Sequence, residues 1–285
     1  MARIVLDIGH GKNTPGKRCL IALDKNETRE WILNDRVGDD TEIYLKSAGH
    51  EVLRVDDITG ATDVPLAERV RRAEEWEADL YVSIHHNAGI NGGCGGGTVV
   101  YVYPGTSGIT TRTQESIYAH AIERGGLTGN RHDGTQSADY YVLRETSMPA
   151  SLIECGFMDS ATDIKYILNP KWSKKIALGI AEGICEVWGG TVKEEEEKTV
   201  NGEIVIDYAQ NRDKKYAGEY IVNSPDGTLS LRSGANTNKA LIAVAKTGEK
   251  VQSYGYYTKE SDGTIWLLVQ YKEFTGFMSL GYLKK

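Results

Sequence analysis

Over its first 190 residues the chain switches repeatedly between strand-like and helix-like hydrophobic patterns, and few folds accept that order. Apolar runs of strand type occupy residues 4–8, 51–55, 80–84, 98–103 and 151–153. Between or after them, at about 30–48, 66–77, 109–124 and 172–187, the apolar residues take helical spacing. Strands apolar on both faces need cover on both sides, and interleaved helices supply it. The alternation predicts an α/β domain with a twisted, mostly parallel sheet flanked by helices. The glycine cluster NGGCGGG at 91–97 reads as a flexible loop between two strands.

A different pattern begins after residue 190. The segment GGTVKEEEEKTVNG, 189–202, joins two glycines, a charge run and an N-G step without apolar periodicity, so 191–203 reads as a solvated acidic linker. Beyond it, short runs at 219–222, 229–232, 250–257, 265–271 and 274–279 are broken by P-D-G, S-G and S-D-G turns. This predicts a small all-β barrel or sandwich. The expected organisation is a first domain over 1–190, the linker over 191–203 and a second domain over 204–285.

Charge follows the same division. Residues 1–190 carry 20 Lys and Arg against 27 Asp and Glu, whereas 191–285 carry 13 of each. The net charge of −7 argues against general nucleic-acid binding. No apolar stretch reaches the length of a membrane span, and the start MARIVLDIGH is too short and too polar for a signal peptide. Cys19, Cys94, Cys155 and Cys185 are scattered, without a C-x-x-C pair, and are expected to be free thiols.

Three strand-like runs of the first domain end in acid/base or metal-type side chains: IVLDIG in His10, LYVSI in His85 and SLI in Glu154. A parallel sheet brings such ends to one edge, where open α/β proteins bind ligands. Two imidazoles and a carboxylate, with one position left to water, make a catalytic zinc set, and a further carboxylate supplies a general base. The candidates are His10, Glu30 or Glu27, His85 and Glu154. His86 lies beside His85, but alternation puts it with Leu80, Val82 and Ile84, opposite Tyr81, Ser83 and His85. His50, His120 and His132 read as surface or locally hydrogen-bonded residues.

A competing reading starts at Gly11, where G-x-x-x-x-G-K resembles a phosphate loop. Arg18 stands where such a loop needs a hydroxyl, Pro15 lacks an N–H, and no helical pattern begins at Lys17. Lys12 and Lys17 are therefore expected to face solvent, with Lys12 near enough to the cleft to touch substrate.

At these same residues the chain resembles the zinc-dependent N-acetylmuramoyl-L-alanine amidases of the amidase-3 family. The likeness rests on Asp7-Ile8-Gly9-His10-Gly11 and on Glu30 heading E-W-I-L-N, with G-H-E-V twenty residues on. It continues through Ser83-Ile84-His85-His86-Asn87-Ala88 and Tyr141-Val142-Leu143-Arg144, then Pro149-Ala150-Ser151-Leu152-Ile153-Glu154-Cys155-Gly156-Phe157. It spans roughly 3–187, with Ile8 in place of the usual proline and Lys12 where a second glycine often sits. The resemblance implies zinc held by His10, Glu30 and His85, with Glu154 as general base. It also implies hydrolysis of the amide between N-acetylmuramic acid and the first alanine of the peptidoglycan stem.

Residues 217–285 resemble bacterial SH3-like wall-binding domains through Leu229-Ser230-Leu231-Arg232-Ser233-Gly234-Ala235, Trp266 and Gly281-Tyr282-Leu283. The resemblance implies attachment to peptidoglycan, with Tyr254, Tyr256, Tyr257 and Trp266 as candidate stacking residues. The two-part plan without a signal peptide resembles a phage endolysin, made in the cytoplasm and acting on the wall after release. The alternatives are a bacterial autolysin and a non-catalytic wall-binding protein on a degenerate amidase fold.

Overall fold

The computed structural model describes residues 1–129, 134–192, 199–200, 203–204, 206–260 and 262–285. His132 and most of the acidic linker lie outside the described residues. The chain divides into two compact units, Met1–Glu194 and Glu195–Lys285.

The first unit runs β1 (Arg3–Ile8), α1 (Glu30–Ser47), β2 (Glu51–Arg54), α2 (Leu66–Glu75), β3 (Leu80–Asn87), β4 (Val99–Val102), α3 (Ile109–Gly125), β5 (Thr135–Ser137), α4 (Tyr141–Arg144), β6 (Ala150–Phe157), α5 (Ile164–Ile167) and α6 (Pro170–Trp188). Among the described residues its six strands form one sheet in the order β2-β1-β3-β6-β4-β5. Neighbours pair in parallel except β4 and β6, which run antiparallel. The exception follows from connectivity. No helix separates β3 from β4, and a chain without a crossover element returns antiparallel to the strand it left.

Alternating side chains build two cores. Ile4, Leu6, Ile8, Leu80, Val82, Ile84 and Ile153 point to one face and pack with residues of α1, α3 and α6. Val5, Tyr81, Val99, Tyr101 and Leu152 point to the other, against α2 and α4. On α1 the buried positions Asn34, Val37, Gly38, Thr41 and Leu45 recur at helical spacing and define its inner stripe. Helix α6 opens with Pro170 at a position that needs no N–H, and the Asn169 side chain accepts from the Lys171 amide.

The glycine-rich segment is stitched in place rather than slack. Asp159 Oδ2 accepts the backbone N–H groups of Gly89, Ile90 and Asn91, and Asp163 Oδ2 accepts those of Gly97 and Phe157. All four cysteines are free. His50 is buried, with Nδ1 accepting from the Ala2 amide and Nε2 2.8 Å from the Gly189 carbonyl.

The second unit contains the strand pair β7 (Thr199–Val200) and β8 (Glu203–Ile204) and an antiparallel seven-stranded sheet. The sheet comprises β9 (Asn211–Val222), β10 (Thr228–Arg232), β11 (Leu241–Lys246), β12 (Lys250–Lys259), β13 (Ile265–Tyr271), β14 (Phe274–Ser279) and β15 (Leu283–Lys284), in the order β11-β10-β14-β13-β12-β9-β15. Its core includes Tyr220, Val222, Leu231, Leu267, Val269 and Met278. Trp266 packs with Ala235 and Phe277 and is 6% exposed, so it is a core residue and not a stacking surface. Tyr257 is half-buried against Tyr216 at 4.8 Å, whereas Tyr254 and Tyr256 are exposed.

Candidate active site

The sheet collects its chemistry at the carboxyl ends of β1, β3 and β6. Ile8 and Ile84 are partners in the β1–β3 register, and His85 and Glu154 are partners in the β3–β6 register. Parallel partners share a face, so His85 and Glu154 stand side by side, with strands about 4.8 Å apart. His10 lies two residues beyond the end of β1. Its backbone is left-handed, φ 66°. A residue with a Cβ pays roughly 1–2 kcal/mol for that conformation, so the surrounding contacts must hold it.

Glu30 opens α1 and is almost fully buried, at 1% exposure. Its Oε1 lies 3.0 Å from His85 Nδ1 and 3.3 Å from His10 Nε2. Burial alone would raise the Glu30 carboxyl, but the two imidazoles beside it hold it well below the usual carboxylate range. Burial likewise disfavours a charged His85 ring, and Glu30, Glu154 and Asp7 outweigh that and raise its pKa. The His10 and His85 rings meet edge-on, with centroids 4.9 Å apart. Ligand atoms of His10, Glu30 and His85 lie within 4.8 Å of one another, and these three form a group able to hold a metal ion.

The side chains of the two neighbouring candidates, Glu27 and His86, lie apart from this cluster. Glu27 pairs with Arg18 Nε at 2.9 Å and lies away from the cluster. His86 points to the opposite face, where Nδ1 sits 2.8 Å from Asn34 Oδ1 and the ring lies edge-on to Trp172. Burial pushes its pKa down to about 3, so it is neutral and structural. Lys12 lies over the Trp31 ring at 4.7 Å. Lys17 is not a solvent-facing bystander: its Nζ is 3.6 Å from Glu30 Oε2. The phosphate-loop reading fails on the same stretch, because the chain makes turns after Gly11 and no helix starts before Glu30.

Two glycines make the approach possible. A Cβ on Gly9 would run into the imidazole of His85, so only glycine lets that ring lie against the β1 turn. On α1, a Cβ at Gly38 would meet the tip of Ile8. Ile8, the residue in place of proline, is therefore a peg seated on a glycine of the helix that carries Glu30. Its full burial contributes roughly 1.5–3 kcal/mol, comparable in size to the backbone cost at His10 two residues on.

The family model for N-acetylmuramoyl-L-alanine amidases of type Amidase_3 matches residues 4–186. The chain belongs to this amidase family. Its reaction is hydrolysis of the peptidoglycan amide between N-acetylmuramic acid and L-alanine. The amidase is 31% identical over 188 residues to the N-acetylmuramoyl-L-alanine amidase CwlM of Bacillus licheniformis, a match covering 66% of this chain and 69% of CwlM. It is also 31% identical over 247 residues to the endolysin of Bacillus phage SPP1, covering 84% of this chain and 83% of that protein. Among solved structures, the catalytic domain of CwlV, an N-acetylmuramoyl-L-alanine amidase from Bacillus (Paenibacillus) polymyxa, aligns with a TM-score of 0.59 at 26% identity. That alignment covers 67% of this amidase and all of the CwlV domain.

Sequence reasoning missed two residues that reach the His10 turn of the amidase, Arg69 on α2 and Asn34 on α1. Arg69 sits in L-A-E-R-V-R-R, which reads as a solvated helix face, yet it is 1% exposed. The available signal was Asp7: a carboxylate inside an apolar strand requires a buried cation or donor. Arg69 Nη1 and Ser83 Oγ, at 2.5 and 2.7 Å, are its partners.

Proposed function

We propose that the amidase is zinc-dependent, with His10, Glu30 and His85 holding the ion and Glu154 acting as general base. The observation that carries this reading is the buried Glu30 carboxylate set between two imidazoles. His10 Nε2 is buried and makes no hydrogen bond among the described residues. Donors arranged around a tetrahedral zinc at about 2.0–2.2 Å stand roughly 3.3–3.6 Å apart, near the 3.0 and 3.3 Å that separate Glu30 Oε1 from the two rings. Nitrogen and carboxylate donors in this number suit zinc. When bound, the ion supplies Lewis acidity toward the scissile carbonyl and lowers the pKa of a water.

The protein's own groups do the rest. Glu154 takes a proton from the attacking water as its oxygen bonds to the lactyl carbonyl carbon. It returns that proton to the alanine nitrogen as the C–N bond breaks. The products are a free L-alanine amine and a lactyl carboxylic acid, which ionises by giving its proton to solvent or to the amine. Lys17 balances the second oxygen of Glu30, leaving Oε1 directed at the two histidines. Exhaustive chelation is expected to stop release of free L-alanine amines from purified walls, and stoichiometric zinc to restore it. Undiminished release by verified metal-free protein would refute zinc dependence.

The second unit is proposed to be an SH3-like wall-binding module of a phage endolysin. The match to the SPP1 endolysin supports this, because it spans more residues than the family-matched segment does. Tyr254 and Tyr256, with Arg212 over the latter at 4.8 Å, offer exposed ring faces for sugar or peptide. Attachment of one unit to the wall would raise the local substrate concentration for the other unit on the same chain. Removing 204–285 is expected to cut sedimentation with purified walls at least tenfold. Equal sedimentation of the truncated and full chains would remove the targeting role.

A further inference from the structure

Three consecutive backbone carbonyls, those of Ile8, Gly9 and His10, are each taken by a buried side chain. Arg69 approaches from α2. Its Nη1 donates to the Ile8 carbonyl at 2.5 Å and its Nη2 to the His10 carbonyl at 3.1 Å. Its remaining donors reach Asp7 Oδ1 at 2.5 Å, Asp63 Oδ1 at 3.2 Å and the Val64 carbonyl at 2.8 Å. Asn34 approaches from α1, on the other side of the sheet, and its Nδ2 donates to the Gly9 carbonyl at 3.1 Å. Because Nδ2 is used as a donor, Oδ1 accepts from His86 Nδ1 at 2.8 Å.

The amides of the turn are fixed as well. Gly9 donates to the Ile84 carbonyl at 3.0 Å, and Gly11 donates to Thr14 Oγ1 at 3.0 Å. Thr14 in turn donates to Asp63 Oδ2 at 2.7 Å, so Asp63 ties the turn to Arg69 by both its oxygens. The residue inside this frame is the left-handed His10. Strain of that kind persists only where surrounding contacts over-determine the backbone.

We propose that Arg69 and Asn34 are positioning residues for metal capture. They clamp the turn from opposite faces of the sheet and so hold the His10 imidazole against Glu30 and His85 before the ion arrives. The clamp rests on the reading of His10 as a metal ligand. Its two halves differ in a useful way. Arg69 also neutralises Asp7, a structural task, whereas the Asn34 side chain, among the described residues, hydrogen-bonds the Gly9 carbonyl and His86 and acts on the turn through the former. Lysine at 69 keeps the charge facing Asp7 but lacks the planar fork that spans two carbonyls.

The test is zinc competition against a chromophoric chelator, with metal-free full-length protein, for wild type, Arg69→Lys, Asn34→Ala and His10→Ala. Thermal unfolding of the same metal-free samples reports folding independently. Both clamp variants are expected to unfold cooperatively and to bind zinc at least tenfold more weakly than wild type, within the range seen when groups that orient metal ligands are lost. His10→Ala is expected not to compete. Wild-type affinity in both folded clamp variants, with binding lost in His10→Ala, would overturn the clamp and leave the ligand assignment standing. Wild-type affinity in His10→Ala would overturn the ligand assignment and the clamp with it. If Arg69→Lys does not fold, Asn34→Ala decides alone, because it leaves the Asp7–Arg69 pair intact.

Discussion

Glu154→Gln is expected to bind zinc as wild type does and to lose wall hydrolysis by a factor of about a thousand, the middle of the range for removing a general acid–base group. The side chains have nearly the same shape, so the β3–β6 register that sets residue 154 beside His85 is undisturbed. What disappears is the basic oxygen. Without it the water has no group to take its proton, and the alanine nitrogen has none to receive one as it leaves. Because the loss falls on the reaction and not on wall attachment, kcat should fall and sedimentation with walls should not. Metal content by elemental analysis and amine release on purified walls measure the two halves separately. Turnover within a few-fold of wild type would remove Glu154 from the mechanism.

His85→Ala is expected to lose metal and activity together. His85 brings the nitrogen nearest to Glu30 Oε1, at 3.0 Å, and its ring fills the space over Gly9. Removing it leaves a buried carboxylate short of a hydrogen-bonding partner, at a cost of roughly 1–3 kcal/mol in stability. The variant should therefore also unfold at a lower temperature than wild type, with both proteins compared in the metal-free state. His86→Ala is the informative contrast. It removes the imidazole one residue along, on the opposite face of β3, and should destabilise the core around Trp172 while the three donors remain. If His86→Ala lost zinc and His85→Ala kept it, the face assignment of β3 would be reversed.

How far the sequence discloses this site depends on how local each determinant is. The strands and long helices are legible because burial on defined faces imposes short-range periods; alternation puts His85 and His86 on opposite faces, and the register of the amidase resemblance is what prefers His85. The four residues His10, Glu30, His85 and Glu154 come to one edge because parallel strands must deliver their ends there. Glu30 is preferred to Glu27 in the sequence only through the G-H-E-V register of the amidase resemblance. Both precede the helical stripe, and the deciding fact is where a turn with Glu27 at φ 47° points each carboxylate. Lys17 looked incidental for the same reason, since its nearness to Glu30 depends on how residues 12–29 turn back. The short elements α4, α5 and β5, of three or four residues, lack the length for a periodic signal. Trp266 shows the opposite limit: it lies on the strand face opposite Leu267, Val269 and Tyr271, yet packs there with Ala235 and Phe277, a second cluster that the pattern of one strand does not announce.

Arg69 and Asn34 mark where single-sequence reasoning ends. Each is read correctly as a helical residue, and neither is near His10 in the chain. Their role follows from two helices on opposite sides of one sheet sharing three consecutive carbonyls between them, a relation that exists only after the sheet has formed.

The position of the ion decides most directly between these donors and any other set. A zinc-edge anomalous difference map from crystals of active, zinc-loaded protein should show one peak in the first unit, bounded by His10 Nε2, Glu30 Oε1 and His85 Nδ1. A peak on another set of donors, such as one including Glu27 or His86, or no peak in protein that still cuts the wall, would contradict it.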